Sequence, residues 1–308
     1  MKKDEKSKKD VEALKTENRI NVIGEIINSE LQNNDYNQKI KDLIISEIKS
    51  IIESGLKNLE YDVLFLYDIN HSISQFTSDK IYQDINKSKK GPILLIIHSN
   101  GGEIEPAYLI SKTCNEYSSK FAVAIPRRAK SPATLISLGA EEIHMGSMSE
   151  LGPIDPQING IPALALRSAL ESLSRIVEVH PKTSEMYAKY LTEQLRLVQL
   201  GYLERISESA MQYASRLLGN RTYPKSIEEI AKNFVYEYKD HSFVVDKDEA
   251  KKFLGDSVKV NTDEYTMANL LHERLNIYSL ALKLARKKTL RIIGSVDNLE
   301  LCDIPQNE

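Results

Sequence analysis

The chain has 308 residues, of which 41% are hydrophobic and 28% are charged, and its formal net charge is −3. A chain of this length can bury a large core, either as one domain or as two. A net charge near zero gives no electrostatic reason to expect nucleic acid as a partner. The two cysteines, Cys114 and Cys302, match neither a disulfide framework nor a metal-ligand cluster, which fits a protein of the reducing cytoplasm.

The amino-terminal segment carries many charges of both signs, and we predict that residues 1–18 form a charged tail. No apolar stretch of about 18 residues occurs, so the sequence predicts neither a secretory signal nor a transmembrane helix. We therefore expect a cytoplasmic protein. Between residues 38 and 56 isoleucines and leucines recur at helical spacing, which predicts a helix packed on the core.

The central region alternates between short aliphatic runs and helical stretches. The three runs are Tyr61–Tyr67, Pro92–His98 and Phe121–Ile125. Such runs are typical of strands buried on both faces of a parallel sheet. A helical stretch, Glu103–Tyr117, separates the second run from the third, as in a right-handed crossover. The alternation continues through Thr134–Gly139 and Glu142–Met145, so the sequence predicts an α/β fold over about residues 60 to 160.

Two turns in this region carry residues suited to chemistry. Gly101 and Gly102 follow the second strand, and Ser131 follows the third. Adjacent glycines permit backbone angles closed to other residues, and amides at a helix N-terminus can stabilise an oxyanion. A simple connecting turn and a helix-capping serine are the plain alternatives. Because successive crossovers bring both turns to one edge of the sheet, we expect them to lie together.

The segments around these turns resemble a known superfamily. They read IIHSNGGEIEPAYLISK, AIPRRAKSPATLISLGAEEIHMG and SELGPIDPQI. Residues 240–256 match more loosely, and the matching residues run from His241 to Gly255. They resemble the Clp/crotonase superfamily, and most closely the serine dehydrogenase proteinase family. That family is related to signal peptide peptidase A and to the proteolytic subunit of Clp protease.

The resemblance implies an α/β fold with a repeated ββα spiral core and additional N- and C-terminal helices. On this basis residues 19–256 form the peptidase domain, with N-terminal helices over 19–58, and residues 257–308 form a C-terminal helical extension. The implied function is hydrolysis of peptide bonds in a protein or peptide substrate. Ser131 would be the nucleophile, and Gly101 and Gly102 would supply the oxyanion hole. The resemblance also implies a homo-oligomer with no metal or organic cofactor.

The general base is less well determined by the resemblance. Signal peptide peptidase A uses a lysine roughly fifty residues beyond the serine. Lys182 falls in that range and Lys189 lies slightly beyond it, although a surface lysine is the plainer interpretation of each. The Clp subunit uses a histidine about 25 residues beyond the serine, where this chain has Asp155. We therefore predict a Ser-Lys peptidase with Lys182 as base.

Two histidines and a proline also bear on the predicted site. His98 either lines the cleft or ends its strand as a satisfied ring, whereas His144 is expected to be a core or rim histidine. Pro132 follows the serine directly, where relatives use a backbone N–H as second oxyanion donor, and proline has none. Loss of one such donor lowers kcat by about 10²–10³.

Pro132 therefore leaves two further functions open. The chain could be a catalytically weak or inactive oligomer that retains the peptide groove as a binding or scaffold protein. It could also be a crotonase-like enzyme acting on an acyl thioester. The matched region has no well-placed pair of carboxylates, which ranks the thioester enzyme last.

Overall fold

A computed structural model of the chain describes residues 21–28, 34–57, 60–86, 90–158, 161–194, 197–219 and 221–304. The predicted charged tail, residues 1–18, lies outside the described residues. Residues 21–28 are helical, and the first complete helix, α1, spans Asn34–Gly55. Its buried face consists of the isoleucines at positions 40, 44, 48 and 51, which confirms the predicted helical stripe.

The described strands are β1 Asp62–Asp68, β2 Ile93–Ser99, β3 Phe121–Ile125, β4 Arg128–Ala129, β5 Glu142–Met145, β6 Glu150–Leu151, β7 Gln157–Ile158, β8 Ile161–Pro162, β9 Val258–Val260, β10 Lys288–Gly294 and β11 Leu299–Asp303. The helices after α1 are α2 Gln75–Ile85, α3 Ile104–Tyr117, α4 Pro132–Leu138, α5 Ala163–Val179, α6 Ser184–Gln194, α7 Leu197–Leu218, α8 Ile227–Lys232, α9 Lys247–Leu254 and α10 Asp263–Arg286. Short 3-10 turns lie at Pro181–Thr183, Gly255–Ser257 and Val296–Asn298, and a π-turn lies at Asn233–Glu237.

The main sheet has the strand order β11-β10-β1-β2-β3-β5-β9. Strands β1, β2, β3, β5 and β9 run parallel, with β2 in register beside both β1 and β3. Every residue of β2 and β3 is buried, as expected for strands covered on both faces. The predicted α/β fold and its three aliphatic strands are thus confirmed, with boundaries shifted by at most one residue.

A short extended segment follows each of β1, β2, β3 and β5, and these segments form a row at the carboxyl edge. Ile73 pairs with Gly102, Ser99 pairs with Ala129, and β4 pairs with β6. An antiparallel bridge from Leu151 to Val245 extends this row. A long strand, a short strand and a helix therefore recur along the chain, which is the expected ββα repeat.

Two apolar clusters hold the sheet between helices. Leu64, Leu95 and Val123 point into the first cluster, together with residues of α2, α3, α4 and α7. Phe65, Leu94 and other alternate residues of the same strands point into the second, against α1 and α10. Successive strand residues face opposite sides, so both clusters are required to bury the central strands.

The carboxyl-terminal segment differs from the expectation of a helical extension. Helix α10 is present, but β10 and β11 follow it and join the main sheet, where β10 pairs antiparallel with β1. Residues 288–303 therefore complete the sheet instead of forming an appendage. No helix within the described ranges is long and apolar enough to cross a membrane.

Candidate functional site

Ser131 lies at the start of α4 in a backbone conformation that is rare for a residue with a side chain. Its φ is +54° and its ψ is −129°. Its side chain makes no capping hydrogen bond, although it occupies the N-cap position. Strained backbone at a polar residue is typical of functional sites, where the surrounding fold must enforce it. The helix-capping interpretation of Ser131 is therefore not supported.

The glycine pair lies directly beside Ser131. Gly101 has a φ of +101°, and a Cβ there would be 2.8 Å from both the Lys130 carbonyl oxygen and the Ser131 Cβ. On the other side, a Cβ on Gly102 would lie 2.2 Å from the Ile73 nitrogen. Both positions thus require glycine because backbone or side-chain atoms already occupy the space. The expected meeting of the two turns is present in the structure.

The pairing with Ile73 fixes the direction of the Gly102 amide. Ile73 donates its N–H to the Gly101 carbonyl and accepts from the Glu103 amide, at 2.8 Å each. Since successive strand residues direct their amides to opposite sides, the Gly102 N–H points away from Ile73. That side is occupied by the chain around Ser131, because the Lys130 amide donates to the Ser99 carbonyl at 3.1 Å.

A cleft of about 620 Å³ opens over these turns. Its walls include Gly101, Gly102, Ser131 and Pro132, and also His71 and His241. Ile154 and Pro156 form another part of the wall, and Tyr202 and Ile206 extend it from α7. The predicted nucleophile and glycine pair therefore share one cleft with two histidines.

His241 forms a tertiary hydrogen bond with a buried carboxylate. Its Nδ1 lies 2.6 Å from Oδ1 of Asp155, 86 residues earlier in the chain. The Asp155 side chain is 4% exposed, and that of His241 is 26% exposed. Because a carboxylate can only accept, Nδ1 carries a proton, and in the neutral tautomer of this ring the lone pair is on Nε2. His241 can therefore accept a proton within the cleft.

Gly152 connects the Asp155 segment to Ser131. A Cβ on Gly152 would be 3.5 Å from the Ser131 amide nitrogen and 2.7 Å from Cδ of Lys130. The amide of Gly152 donates to Thr134 Oγ1 at 2.9 Å, which attaches this segment to α4. Asp155 follows three residues later. The carboxylate that orients His241 thus comes from the segment packed against the serine.

Lys130 holds the His241 segment from the other direction. Its Nζ donates to the carbonyl oxygen of Phe243 at 3.1 Å and lies 3.0 Å from Oε2 of Glu150. Its side chain is only 14% exposed. The residue before the serine therefore binds the backbone two residues beyond the histidine.

His71 also lines the cleft beside a carboxylate, but its contacts are local. Its Nδ1 lies 2.9 Å from Oδ2 of Asp68, three residues earlier. Asp68 also accepts the backbone amides of Asn70 and His71, at 2.9 and 3.0 Å. This pair closes its own turn, and Gly101 and Gly102 separate that turn from Ser131.

Two predicted site residues lie elsewhere. Lys182 is exposed on the 3-10 turn Pro181–Thr183, and Lys189 is exposed on α6. Neither lysine lines the cleft. The assignment of Lys182 as base rested on sequence distance from the serine alone, and no contact among the described residues supports it.

His98 is buried behind the glycine turn and does not line the cleft. It lines a second cavity, of about 270 Å³, and its ring packs against those of Tyr67 and His272 at centroid distances of 4.9 and 4.6 Å. Burial lowers the pKa of His98 to about 3, with His272 and the nearby arginines as further causes. His98 therefore does not line the cleft that contains Ser131, and its ring is not fully satisfied either, because Nδ1 is buried without a hydrogen-bond partner among the described residues.

Pro132 leaves the second oxyanion position without a donor at that residue. The next two amides are occupied, since Ala133 donates to the Lys130 carbonyl and Thr134 to the Ser131 carbonyl, both at 2.9 Å. The N–H that Pro132 lacks is therefore not replaced by the amide of Ala133 or of Thr134. At the glycine turn, the Gly101 amide donates to Ser99 Oγ at 3.2 Å, whereas the Gly102 N–H points away from Ile73.

Residues 63–283 match a model of the family described as ClpP-like SDH-type serine proteinases. The chain belongs to this family. The match runs from β1 into α10, and so includes the serine, the glycine pair and both members of the His241–Asp155 pair. The resemblance drawn from the sequence motifs is thereby confirmed.

Two curated proteins of Methanocaldococcus jannaschii are similar to the chain, and both are called uncharacterized. MJ0137 is 28% identical over 196 residues, 63% of each protein. MJ1495 is 29% identical over 187 residues, 61% of this chain and 57% of that protein. The chain thus spans less than two thirds of the length of the curated relatives it matches.

Solved structures of proteases are also similar. The 1510-N membrane-bound stomatin-specific protease, as a serine-to-alanine mutant, is 14% identical with a TM-score of 0.42, covering 80% of this chain and 94% of that one. A ClpP1 mutant from Listeria monocytogenes is 16% identical with a TM-score of 0.34, covering 70% and 97%.

Sequence reasoning did not connect His241 with Asp155, although both lie in the motifs that carried the resemblance. It sought a histidine about 25 residues beyond the serine and found Asp155 there instead. The same three side chains occur in different chain orders on unrelated folds. The order Ser131, Asp155, His241 was therefore a readable signal.

Proposed function

We propose that the protein is a serine peptidase in which Ser131 is the nucleophile, His241 the general base and Asp155 the residue that orients the base. The observation that carries this proposal is the 2.6 Å hydrogen bond between His241 and Asp155 at the wall of the cleft that contains Ser131. Family membership supports the reaction class. The proposal replaces the Ser-Lys mechanism with a Ser-Asp-His one.

The chemistry follows from the positions of the donors and acceptors. Ser131 Oγ attacks the substrate carbonyl carbon while His241 Nε2 takes its proton, and Asp155 stabilises the imidazolium. The Gly102 N–H donates to the oxyanion. His241 then protonates the leaving amine, and water hydrolyses the acyl-enzyme in the same way. The substrate is a protein or peptide, and we expect the active form to be a homo-oligomer.

A fluorophosphonate probe tests the nucleophile and the base separately. We expect wild type to be labelled, Ser131→Ala to be unlabelled, and His241→Asn to be labelled at least about 100-fold more slowly. His71→Asn is the matched control, because His71 lines the same cleft and also pairs with a carboxylate. Equal slowing in both histidine variants would contradict the assignment of His241.

A second candidate function is that of a weakly active or inactive binding protein, and Pro132 favours it. If a missing oxyanion donor limits the reaction, Pro132→Ala restores an N–H and accelerates labelling by about 10²–10³. Wild-type labelling that is fast and unchanged in Pro132→Ala would instead indicate that Gly102 alone suffices. Wild-type peptide binding without labelling would favour the binding protein.

A further inference from the structure

A cluster of metal-ligating side chains lies on β5 and α10, among residues that do not line the cleft. Glu142 and His144 belong to β5, and Glu264 lies in the first turn of α10. One ligand atom from each of the three residues lies within 4.8 Å of the other two. Glu264 and His144 are buried and Glu142 is half-buried, so this is not an exposed acidic patch.

His144 contributes a buried nitrogen without a hydrogen-bond partner. The residue is 1% exposed, and its Nδ1 lies 2.9 Å from the Thr262 hydroxyl oxygen. Its Nε2 makes no hydrogen bond within the described part of the chain, and faces Oε2 of Glu142 at 3.5 Å.

Both carboxylates lie close to this ring. Oε2 of Glu264 lies 3.7 Å from Nδ1 of His144, and one ligand atom of each of the three residues lies within 4.8 Å of the other two. Tyr61 donates its hydroxyl to Glu264 at 3.3 Å. Lys120 contacts the cluster through its Nζ, 2.7 Å from Oε2 of Glu142, and the Lys259 charge on β9 also acts on Glu142 and His144. The Lys120 side chain is 36% exposed and can turn outward into solvent.

We propose that Glu142, His144 and Glu264 form a binding site for a divalent transition-metal ion, with Zn²⁺ as the best fit. One imidazole nitrogen and two carboxylate oxygens are zinc ligands, whereas Mg²⁺ prefers oxygen ligands alone. Nδ1 hydrogen-bonds to Thr262 and so holds the ring, as the non-ligating nitrogen of a metal-bound histidine usually does. Nε2 is then free to bind the ion. The ion displaces the Lys120 ammonium from Glu142.

Such an ion would be structural. It would join β5, near one end of the parallel strands, to the start of α10, which covers the second apolar cluster. An ion that binds the folded chain alone raises its melting temperature by mass action. The sequence had indicated a core or rim histidine at His144 and no metal, because these three residues share no sequence motif.

Calorimetric titration of the full chain, after treatment with a chelator, tests this site with Zn²⁺ and with Mg²⁺. We expect one Zn²⁺ per chain with a rise in melting temperature, and no heat with Mg²⁺. Glu142→Gln and His144→Asn should each weaken Zn²⁺ binding tenfold or more. Lys120→Met removes the competing cation and should bind Zn²⁺ at least as tightly as wild type.

Two controls keep other histidines from imitating the result. His180→Asn alters an exposed histidine, and His241→Asn alters the cleft; both should retain wild-type affinity. Absence of Zn²⁺ binding to wild type overturns the proposal, as does equal binding by His144→Asn. The Co²⁺ absorption spectrum of the Glu142→Gln variant, compared with wild type, would distinguish a lost ligand from a misfolded chain. None of these measurements depends on peptidase activity.

Discussion

Replacing Asp155 with asparagine isolates the part of the site that orients the base. The side chain is nearly isosteric, so the main change is loss of the charge that accepts the His241 Nδ1 proton at 2.6 Å. A hydrogen bond to a charged group contributes about 1.5–3 kcal/mol. At about 1.36 kcal/mol per tenfold change in rate, its loss alone slows the reaction about 10- to 150-fold.

A second effect depends on which end of the new amide faces the ring. If the NH₂ group faces Nδ1, the imidazole proton moves to Nε2 and the base is lost. In a known Ser-His-Asp triad the equivalent change lowers kcat about 10⁴-fold. We therefore expect Asp155→Asn to react about 10 to 10⁴ times more slowly than wild type at neutral pH, depending on which end of the amide faces the ring.

The assay is the rate of fluorophosphonate labelling of Ser131, or kcat for a cleavable peptide, together with the melting temperature. A folded Asp155→Asn variant that reacts within about threefold of wild type would refute the orientation argument, because the hydrogen bond alone accounts for more. Loss of folding would be read from the melting temperature, and Asp155→Glu then tests whether a longer carboxylate restores the rate.

Three further predictions concern the frame around the site. Gly101→Ala places a Cβ 2.8 Å from the Lys130 carbonyl oxygen, at a φ of +101°. We expect urea unfolding to show about 1–3 kcal/mol of destabilisation. Gly24→Ala is the control and should show no comparable loss, because the space around Gly24 is open. Lys130→Met removes the 3.1 Å bond to Phe243 and should slow labelling about tenfold without unfolding; an unchanged rate contradicts the positioning role. Burial lowers the pKa of His98 to about 3, below its value of about 6.5 in the unfolded chain. The free energy of unfolding therefore falls as the pH drops below 6.5, by about 2 kcal/mol between pH 7 and pH 5. In urea unfolding, His98→Gln should lack this part of the pH dependence.

The aliphatic runs and the two turns could be predicted from the sequence because they depend on neighbouring residues. A short run of buried β-formers bounded by polar residues specifies a strand wherever it folds. Parallel crossovers then bring Gly101 and Ser131 to one edge of the sheet, so their proximity could be expected from the sequence. The glycines themselves indicated positions closed to a Cβ.

Other features depended on contacts between distant parts of the chain. The pairing of His241 with Asp155 joins residues 86 apart, and Lys182 could be tested as a base only by its place on the folded surface. The strand β10 reads as a helix tail in sequence, yet it completes the sheet because the edge of β1 offers unpaired backbone groups. Local pattern thus determined the central parallel strands and the position of the Ser131 turn. Tertiary packing alone decided that Asp155 meets His241 and that β10 meets β1. These contacts join segments that are far apart in the sequence, and sequence separation does not determine their distance in the folded chain.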